Sequence, residues 1–262
     1  MLKNPTLDRR LSEAEVSAVC SVLVTRLGGS YSRLLGIRLA GMESDESFKW
    51  LVAAILLGSP VRAGSALAAY RALESRGLLE PRLLAATEER DLVDVLLAAG
   101  VTGYTRRIAA TLRLAVESIV ADYDADINRL HFFAEDAGDL VQRLRRLGRK
   151  VPHRAVNLFL REMRGVWDKA RPAPSAAAME AARCLGIVGD AGVTSEAADK
   201  LLSVWDRTCH AGRTYADFEM ALVRLGESYC ELRRCASCPM SKLCISRVAD
   251  SRGVTVCPEA SS

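Results

Sequence analysis

The sequence predicts an all-α protein, because apolar residues recur at helical spacing along most of the chain and strand-like alternation is nearly absent. Of the 262 residues, 50% are hydrophobic and 5% are aromatic, which is sufficient for a folded core of ordinary size. Nine segments place apolar residues three and four positions apart: Leu11–Leu27, Phe48–Leu57, Ala66–Leu73, Leu92–Ala99, Tyr104–Val120, Ala137–Leu147, Ala155–Met163, Ser175–Leu185 and Ser195–Trp205.

Helix-breaking and helix-capping residues separate these segments, which supports their assignment as individual short helices. Asp45, Thr194 and Ser195 stand where N-caps are expected, because their side-chain oxygens can accept hydrogen bonds from free backbone N–H groups. Glycine and proline interrupt the apolar pattern at Gly28–Gly29, Gly58–Pro60, Gly100, Gly148, Pro172–Pro174 and Gly186. No repeat of fixed period and no clear linker cuts the chain into independent halves.

The charge of the chain is concentrated in one place. The formal net charge is only +4, from 36 Lys and Arg against 32 Asp and Glu. The segment Val141–Arg171, called here the basic segment, holds ten basic and two acidic residues, a local net charge of +8. Such an asymmetry indicates one face built for a polyanion, and nucleic acid is the leading candidate.

The sequence lacks the signals of export and of membrane insertion. Its most apolar run, Trp50–Leu57, has eight residues, far fewer than the roughly 20 that span a bilayer. The first ten residues, Met1–Arg10, contain no apolar stretch of the kind found in secretion signals. We therefore expect a cytoplasmic protein without a membrane partner, associated with the nucleoid if its source is prokaryotic.

Four cysteines form a dense motif near the carboxyl end. Cys230, Cys235, Cys238 and Cys244 follow the pattern C-x4-C-x2-C-x5-C. Disulfides are not expected in the cytosol, so a metal centre is the better explanation of the spacing. An iron–sulfur cluster is favoured over structural zinc, because zinc usually takes two paired Cys-x2-Cys knuckles and this motif contains one.

Residues around the motif add to this interpretation. Arg233 and Arg234 lie within the cysteine loop, where their charge suggests contact with phosphates. Cys257 is either a spare thiol or a substitute ligand for Cys230.

A second motif lies inside the basic segment. Residues 144–160 predict two helices joined by a short turn that contains Gly148 and Pro152. The N–H groups of the second helix's first turn form a phosphate site by geometry, and four cationic or titratable side chains add charge there: Arg149, Lys150, His153 and Arg154. The alternative is an ordinary basic helical turn facing solvent.

Together these motifs resemble the helix-hairpin-helix DNA glycosylase superfamily, specifically its endonuclease III-like branch with an iron–sulfur cluster. The resemblance extends over most of the chain, in the family's order. It is carried by Phe48–Leu57, Leu97–Ile108, the hairpin at 144–160, Ala182–Ile187 and Gly226–Cys230.

The resemblance implies a two-lobed all-α fold with a 4Fe-4S cluster bound by the four cysteines of the motif. One lobe of six helices would span 45–147, and the other would combine 1–44 with 148–262 and contain the cluster loop, 226–246. The implied partner is double-stranded DNA with a damaged or modified base, which is extruded into a cleft between the lobes of a monomer.

Three departures from the family pattern accompany the resemblance. The first gap between cysteines is four residues where the family has six. Ser59 stands near the position at which many members carry a Gln that fills the gap left by the flipped base, so Ser59 is a candidate DNA contact. Pro152 replaces a hairpin glycine and removes one backbone N–H.

Two alignments of the hairpin give two sets of catalytic positions. One places Lys150 at the family's nucleophile and Asp168 at its essential aspartate. The other places Arg154 and Ser175 there, and an arginine cannot act as an amine nucleophile because its guanidinium stays protonated. We predict Asp168, beside Trp167, as the catalytic carboxylate that stabilises charge developing on the sugar, and Lys150 as either a nucleophile or a DNA-backbone contact.

The predicted function is that of a DNA glycosylase of the base-excision-repair type, with or without lyase activity. One alternative is a catalytically inactive DNA-binding protein of the same fold that recognises distorted or modified DNA. Another is a zinc-stabilised helical regulator, which would be colourless where an iron–sulfur protein is brown.

Overall fold

A computed structural model describes residues 11–148, 150–189, 194–208, 212–246, 248–249 and 255–256. Within these ranges the chain forms thirteen α-helices and one antiparallel pair of two-residue strands, β1 (Val248–Ala249) and β2 (Thr255–Val256). The predicted all-α class is therefore confirmed. None of the described helices combines the length and the apolar character needed to cross a bilayer.

All nine predicted helices are present, and four further helices join them. The helices are α1 (Glu13–Leu27), α2 (Tyr31–Leu34), α3 (Ser44–Leu57), α4 (Ala63–Ser75), α5 (Pro81–Ala86), α6 (Glu89–Ala98), α7 (Thr105–Tyr123), α8 (Ile127–Phe133), α9 (Ala137–Arg146), α10 (His153–Met163), α11 (Ala176–Cys184), α12 (Ser195–Thr208) and α13 (Tyr215–Leu225). Periodicity did not indicate α2, α5, α8 and α13.

The chain divides into two structural units. The middle unit is Tyr31–Arg171, and the terminal unit combines Met1–Ser30 with Pro172–Ser262. The predicted lobe 45–147 lies wholly within the middle unit, which also includes α2 and α10. The buried carboxylate of Glu162 on α10 accepts hydrogen bonds from the backbone N–H groups of Tyr31 (2.8 Å) and Ser32 (3.0 Å), and so holds α2 in this unit.

Helix α3 is the central helix of the middle unit and packs against α4, α7, α8 and α10. The indole N–H of Trp50, a fully buried residue of α3, donates to the carbonyl of Phe159 on α10 at 3.1 Å. At the end of α3, a Cβ atom on Gly58 would lie 2.5 Å from Cα of Ala155. Glycine is therefore required for this close approach of the two helices.

We expect Gly58→Ala to lower the free energy of unfolding by about 1–3 kcal/mol, because the obstructing atoms belong to the backbone of α10 and cannot rotate away. The control is Gly64→Ala on α4, where an added Cβ has no atom within 4 Å. That change should leave stability equal or raise it by about 0.4–1 kcal/mol. Denaturation followed by circular dichroism measures the free energy of unfolding of both variants. A Gly58→Ala variant as stable as the wild-type protein would contradict the close packing of α3 against α10.

The terminal unit has its own core, in which α1 and α11 each pack against α13. Phe218 of α13 is fully buried and stacks on Trp205 of α12 with ring centroids 5.3 Å apart. The guanidinium of Arg224 donates to the carbonyl of Leu27 at 2.7 Å and so caps the end of α1. This core forms one wall of the cysteine site described below.

Candidate nucleic-acid interface and metal centre

The predicted hairpin is present in the middle unit. Helix α9 ends at Arg146, and α10 begins at His153. Between them, Gly148 adopts a left-handed conformation (φ +59°), and a Cβ there would lie 2.7 Å from the carbonyl carbon of Leu114 on α7. Its N–H donates to Oγ of Ser118 at 2.9 Å. The turn is therefore docked on α7, which fixes the direction in which α10 begins.

Three of the predicted DNA contacts lie at this turn. Lys150 precedes α10, whereas His153 and Arg154 belong to its first turn, and all three are exposed. The N-cap residue is Pro152, and no side chain caps the helix there. The start of α10 therefore combines a helix N-terminus with exposed cations, which favours an anion in front of it. Arg149 lies outside the described residues.

Other cations of the basic segment are engaged within the protein. Arg143 pairs with Asp139 (Nε to Oδ2, 2.7 Å), and the ammonium of Lys169 donates to the carbonyl of His131 at 3.1 Å. Arg161 is buried. Arg146, just before the turn, and Arg171, at the end of the segment, are exposed as well, so exposed charge lies at the hairpin turn and also on either side of it.

Asp168 forms a hydrogen bond that spacing along the chain did not indicate. Its Oδ1 lies 2.6 Å from Nε2 of His131, and its side chain is 77% exposed. The imidazole is held in place by the buried ring of Trp167, which stacks on it at 4.9 Å between centroids. The indole N–H of Trp167 donates in turn to Oδ1 of Asn128 at 3.1 Å. The result is an exposed carboxylate with a rigid partner.

The pKa of Asp168 lies below its usual range, mainly because the carboxylate accepts a hydrogen bond from His131. Because the folded-state pKa is lowered, this pair stabilises the fold above the ordinary Asp pKa, and the stabilisation is lost as pH falls through the lowered value.

We expect the Asp168 carboxyl to titrate below about pH 3.9, the ordinary value for Asp, and His131→Ala to return its pKa towards that value. Carbon-13 NMR of the side-chain carboxyls measures both values. Phe132→Ala, which changes a 76% exposed neighbour, is the control and should leave the titration in place. A wild-type titration at the ordinary value would contradict the hydrogen bond between His131 and Asp168.

The helix boundaries bear on the two alignments of the hairpin. Arg154 lies in the first turn of α10, and Lys150 lies before the helix begins. Ser175 is the N-cap of α11, with its Oγ accepting a hydrogen bond from the N–H of Ala178 at 3.2 Å. Both positions of the second alignment thus occur at helix starts. The catalytic roles of Lys150 and Asp168 stay predictions.

Ser59 is placed beside the hairpin but faces inward. It follows Gly58, whose backbone abuts Ala155 of α10, and only 5% of Ser59 is exposed. Its hydroxyl donates to the carbonyl of Ile55 at 2.7 Å, within the last turn of α3. A contact between Ser59 and DNA stays a prediction.

The four cysteines of the motif line one small cavity of about 20 Å³ in the terminal unit. Cys235 is buried, and the other three cysteines are partly exposed. The sulfur of Cys238 accepts a hydrogen bond from the N–H of Met240 at 3.4 Å. Burial is the main cause that raises the pKa of the Cys238 thiol. Among the residues described, no group of three or more His, Cys, Asp or Glu is arranged to hold a metal ion.

Arg233 and Arg234 are exposed on the same loop. The N–H of Arg233 donates to the carbonyl of Cys230 at 3.0 Å, and that of Arg234 donates to the carbonyl of Tyr229 at 2.8 Å. The backbone of both arginines is therefore tied to the turn that carries Cys230.

Comparisons with known proteins bear on the fold. No protein-family model matches the chain, and no curated protein matches it. A solved structure of endonuclease III, trapped as a covalent intermediate with DNA in an estranged-adenine complex, matches with a TM-score of 0.53 and 14% sequence identity, covering 89% of this chain and 96% of that chain. At this identity the similarity concerns the fold alone. The chain has an endonuclease III-like all-α fold, as the sequence resemblance predicted.

Proposed function

We propose that the chain is a DNA glycosylase that cleaves the N-glycosidic bond of a damaged or modified base in duplex DNA. The observation that carries the proposal is the endonuclease III-like fold. In the similar structure, endonuclease III is joined covalently to DNA. The exposed cations at the start of α10 are the feature of this chain that suits the same partner.

The hairpin supplies the binding energy in this proposal. Lys150, His153 and Arg154 contact phosphates of the backbone, and each neutralised phosphate releases condensed counterions. Extruding a base costs a few kcal/mol because stacking and pairing are lost. Phosphate contacts made at the hairpin offset that cost without reading the base sequence.

Asp168 supplies the charge that bond cleavage needs. As the carbon–nitrogen bond breaks, its electron pair leaves with the base and positive charge develops on the sugar, which water then captures. An ionised carboxylate stabilises that charge, and the hydrogen bond from His131 keeps Asp168 ionised. A lyase step would require a neutral amine, for which Lys150 is the candidate.

The donor chemistry of the cysteine cavity suits a 4Fe-4S cluster, because each of its irons takes one thiolate and no three ligands need to meet at a single ion. The hydrogen bond from the Met240 N–H to the Cys238 sulfur is of the kind that tunes such clusters. Cys230, Cys235, Cys238 and Cys244 would hold it. When bound, the cluster would fix the shape of the loop that carries Arg233 and Arg234 and so orient them towards phosphates.

Base release from a panel of modified duplexes tests the proposal. Purified protein with its iron and sulfide content verified is incubated with each duplex, and free base is measured by chromatography. We expect release from at least one modified duplex and none from unmodified DNA. Absence of release across a broad panel, with the cluster intact, would overturn the glycosylase proposal.

A second candidate, a DNA-binding protein without catalysis, is favoured by one observation. Arg154 and Ser175 both stand at helix starts, which agrees with the alignment that lacks the family's catalytic lysine and aspartate. Such a protein would bind modified duplexes more tightly than unmodified ones in the same assay and release no base.

The hairpin contacts give a prediction that both candidates share. We expect Lys150→Ala and Arg154→Ala each to weaken binding to all duplexes and to reduce the slope of log affinity against log salt by about one. The control, Arg71→Ala, removes an exposed cation of α4 in the same unit and should leave the slope unchanged. Fluorescence anisotropy over a salt series measures the slopes, and identical slopes for all variants would exclude the hairpin from the interface.

A further inference from the structure

The cavity is lined by five cysteines, because Cys184 joins the four cysteines of the loop. Cys184 is the last residue of α11 and only 4% exposed. It lies far from the motif in sequence, and its proximity to the loop is a product of the fold.

Helix α11 is firmly attached to the loop at both of its ends. The N–H of Ile245, directly after Cys244, donates to the carbonyl of Cys184 at 2.9 Å. A Cβ on Gly226 would lie 2.1 Å from the carbonyl oxygen of Ala177, so the turn Gly226–Cys230 packs directly on the helix. The position of Cys184 relative to Cys230 and Cys244 is therefore set by backbone contacts.

The thiol of Cys184 also has a group that can take its proton. Its Sγ donates to Oε1 of Glu180 at 3.6 Å, one turn earlier on α11. The other carboxylate oxygen of Glu180 pairs with Arg183 at 2.8 Å, which keeps Glu180 in place.

We propose that Cys184 is a reserve ligand of the cluster, which binds iron in place of Cys230. If the Cys230 sulfur left its iron, that thiolate would take up a proton from water. The Cys184 thiol would give its proton to the Glu180 carboxylate, and its thiolate would replace that of Cys230 as the ligand, with no electron exchanged. Cys230 is the ligand replaced, because its turn, Gly226–Cys230, packs directly on α11.

The proposal rests on the proposed cluster and is tested by cluster content. Wild-type protein and variants are reconstituted anaerobically with ferrous iron and sulfide, and bound iron, bound sulfide and visible absorption are measured. We expect Cys184→Ala and Cys230→Ala to keep the cluster and the Cys184→Ala/Cys230→Ala double variant to lose it.

Two matched double variants identify the reserve thiol. Cys20→Ala/Cys230→Ala removes a buried cysteine outside the cavity, and Cys230→Ala/Cys257→Ala removes the other cysteine that could replace Cys230; both should keep the cluster. Loss of the cluster in Cys230→Ala alone, or its retention in Cys184→Ala/Cys230→Ala, would overturn the proposal. A wild-type protein without iron would instead overturn the proposed cofactor itself.

Discussion

The Asp168→Asn variant is expected to release base at least about 100-fold more slowly than the wild-type protein, because the charge that stabilises the transition state is lost. Asparagine has nearly the same size as aspartate and can still form a hydrogen bond with His131. Because the side chain is 77% exposed, the substitution removes no core packing. Affinity for duplex DNA should therefore be unchanged, and single-turnover base release together with anisotropy binding measures the two effects separately.

Asp124→Asn is a matched control in the same unit. Asp124 is also exposed and paired, with its Oδ1 2.8 Å from Nη2 of Arg82. Its left-handed backbone (φ +55°) is one that asparagine tolerates well. This variant should release base at the wild-type rate. Equal rates in all three proteins would remove Asp168 from the mechanism, and a wild-type protein that binds DNA but releases no base would favour the binding-only candidate.

Replacing both Cys235 and Cys238 by alanine is expected to abolish cluster binding, because only three of the five thiols at the cavity would remain. The brown colour of the protein and its absorption band at about 400 nm should disappear. The free energy of unfolding should fall by at least about 4 kcal/mol, the stabilisation given by a ligand present at a thousand times its dissociation constant. Iron and sulfide analysis and chemical denaturation measure these effects.

The control for this double variant is Ser237→Ala, which changes an exposed residue between the two cysteines and should keep the iron content. Iron retained in the double variant would exclude these thiols as ligands. A colourless wild-type protein that contains one zinc per chain would contradict the iron–sulfur cluster and favour the zinc-stabilised alternative.

Local patterns predicted a large part of the fold. Long amphipathic helices such as α7 and α9 were predicted because each buries one face, and that face recurs with the period of the helix. Helices α2, α5 and α8 have four, six and seven residues and are too short to show a period. Helix α13 was missed for the opposite reason, because nearly every one of its residues is buried and no polar face marks the period.

The cysteine motif and the hairpin could also be recognised in the chain, since the spacing of a Cys-x2-Cys turn and a Gly/Pro turn between two helices are properties of neighbouring residues. The boundaries of the two structural units could not be recognised in this way. Helices α2 and α10 belong to the middle unit because Glu162 binds the N–H groups at Tyr31 and Ser32, a contact across 130 residues of chain.

The side chains that complete the two candidate sites depended on helix packing. His131 meets Asp168 from 37 residues away, and Cys184 reaches the cysteine cavity from a different helix. No sequence motif relates either residue to its partner. The packing of α8 and of α11 within their units decides where these two side chains lie. The amino-acid order thus specified the helices and the local motifs, and the packing of distant segments selected which titratable groups meet.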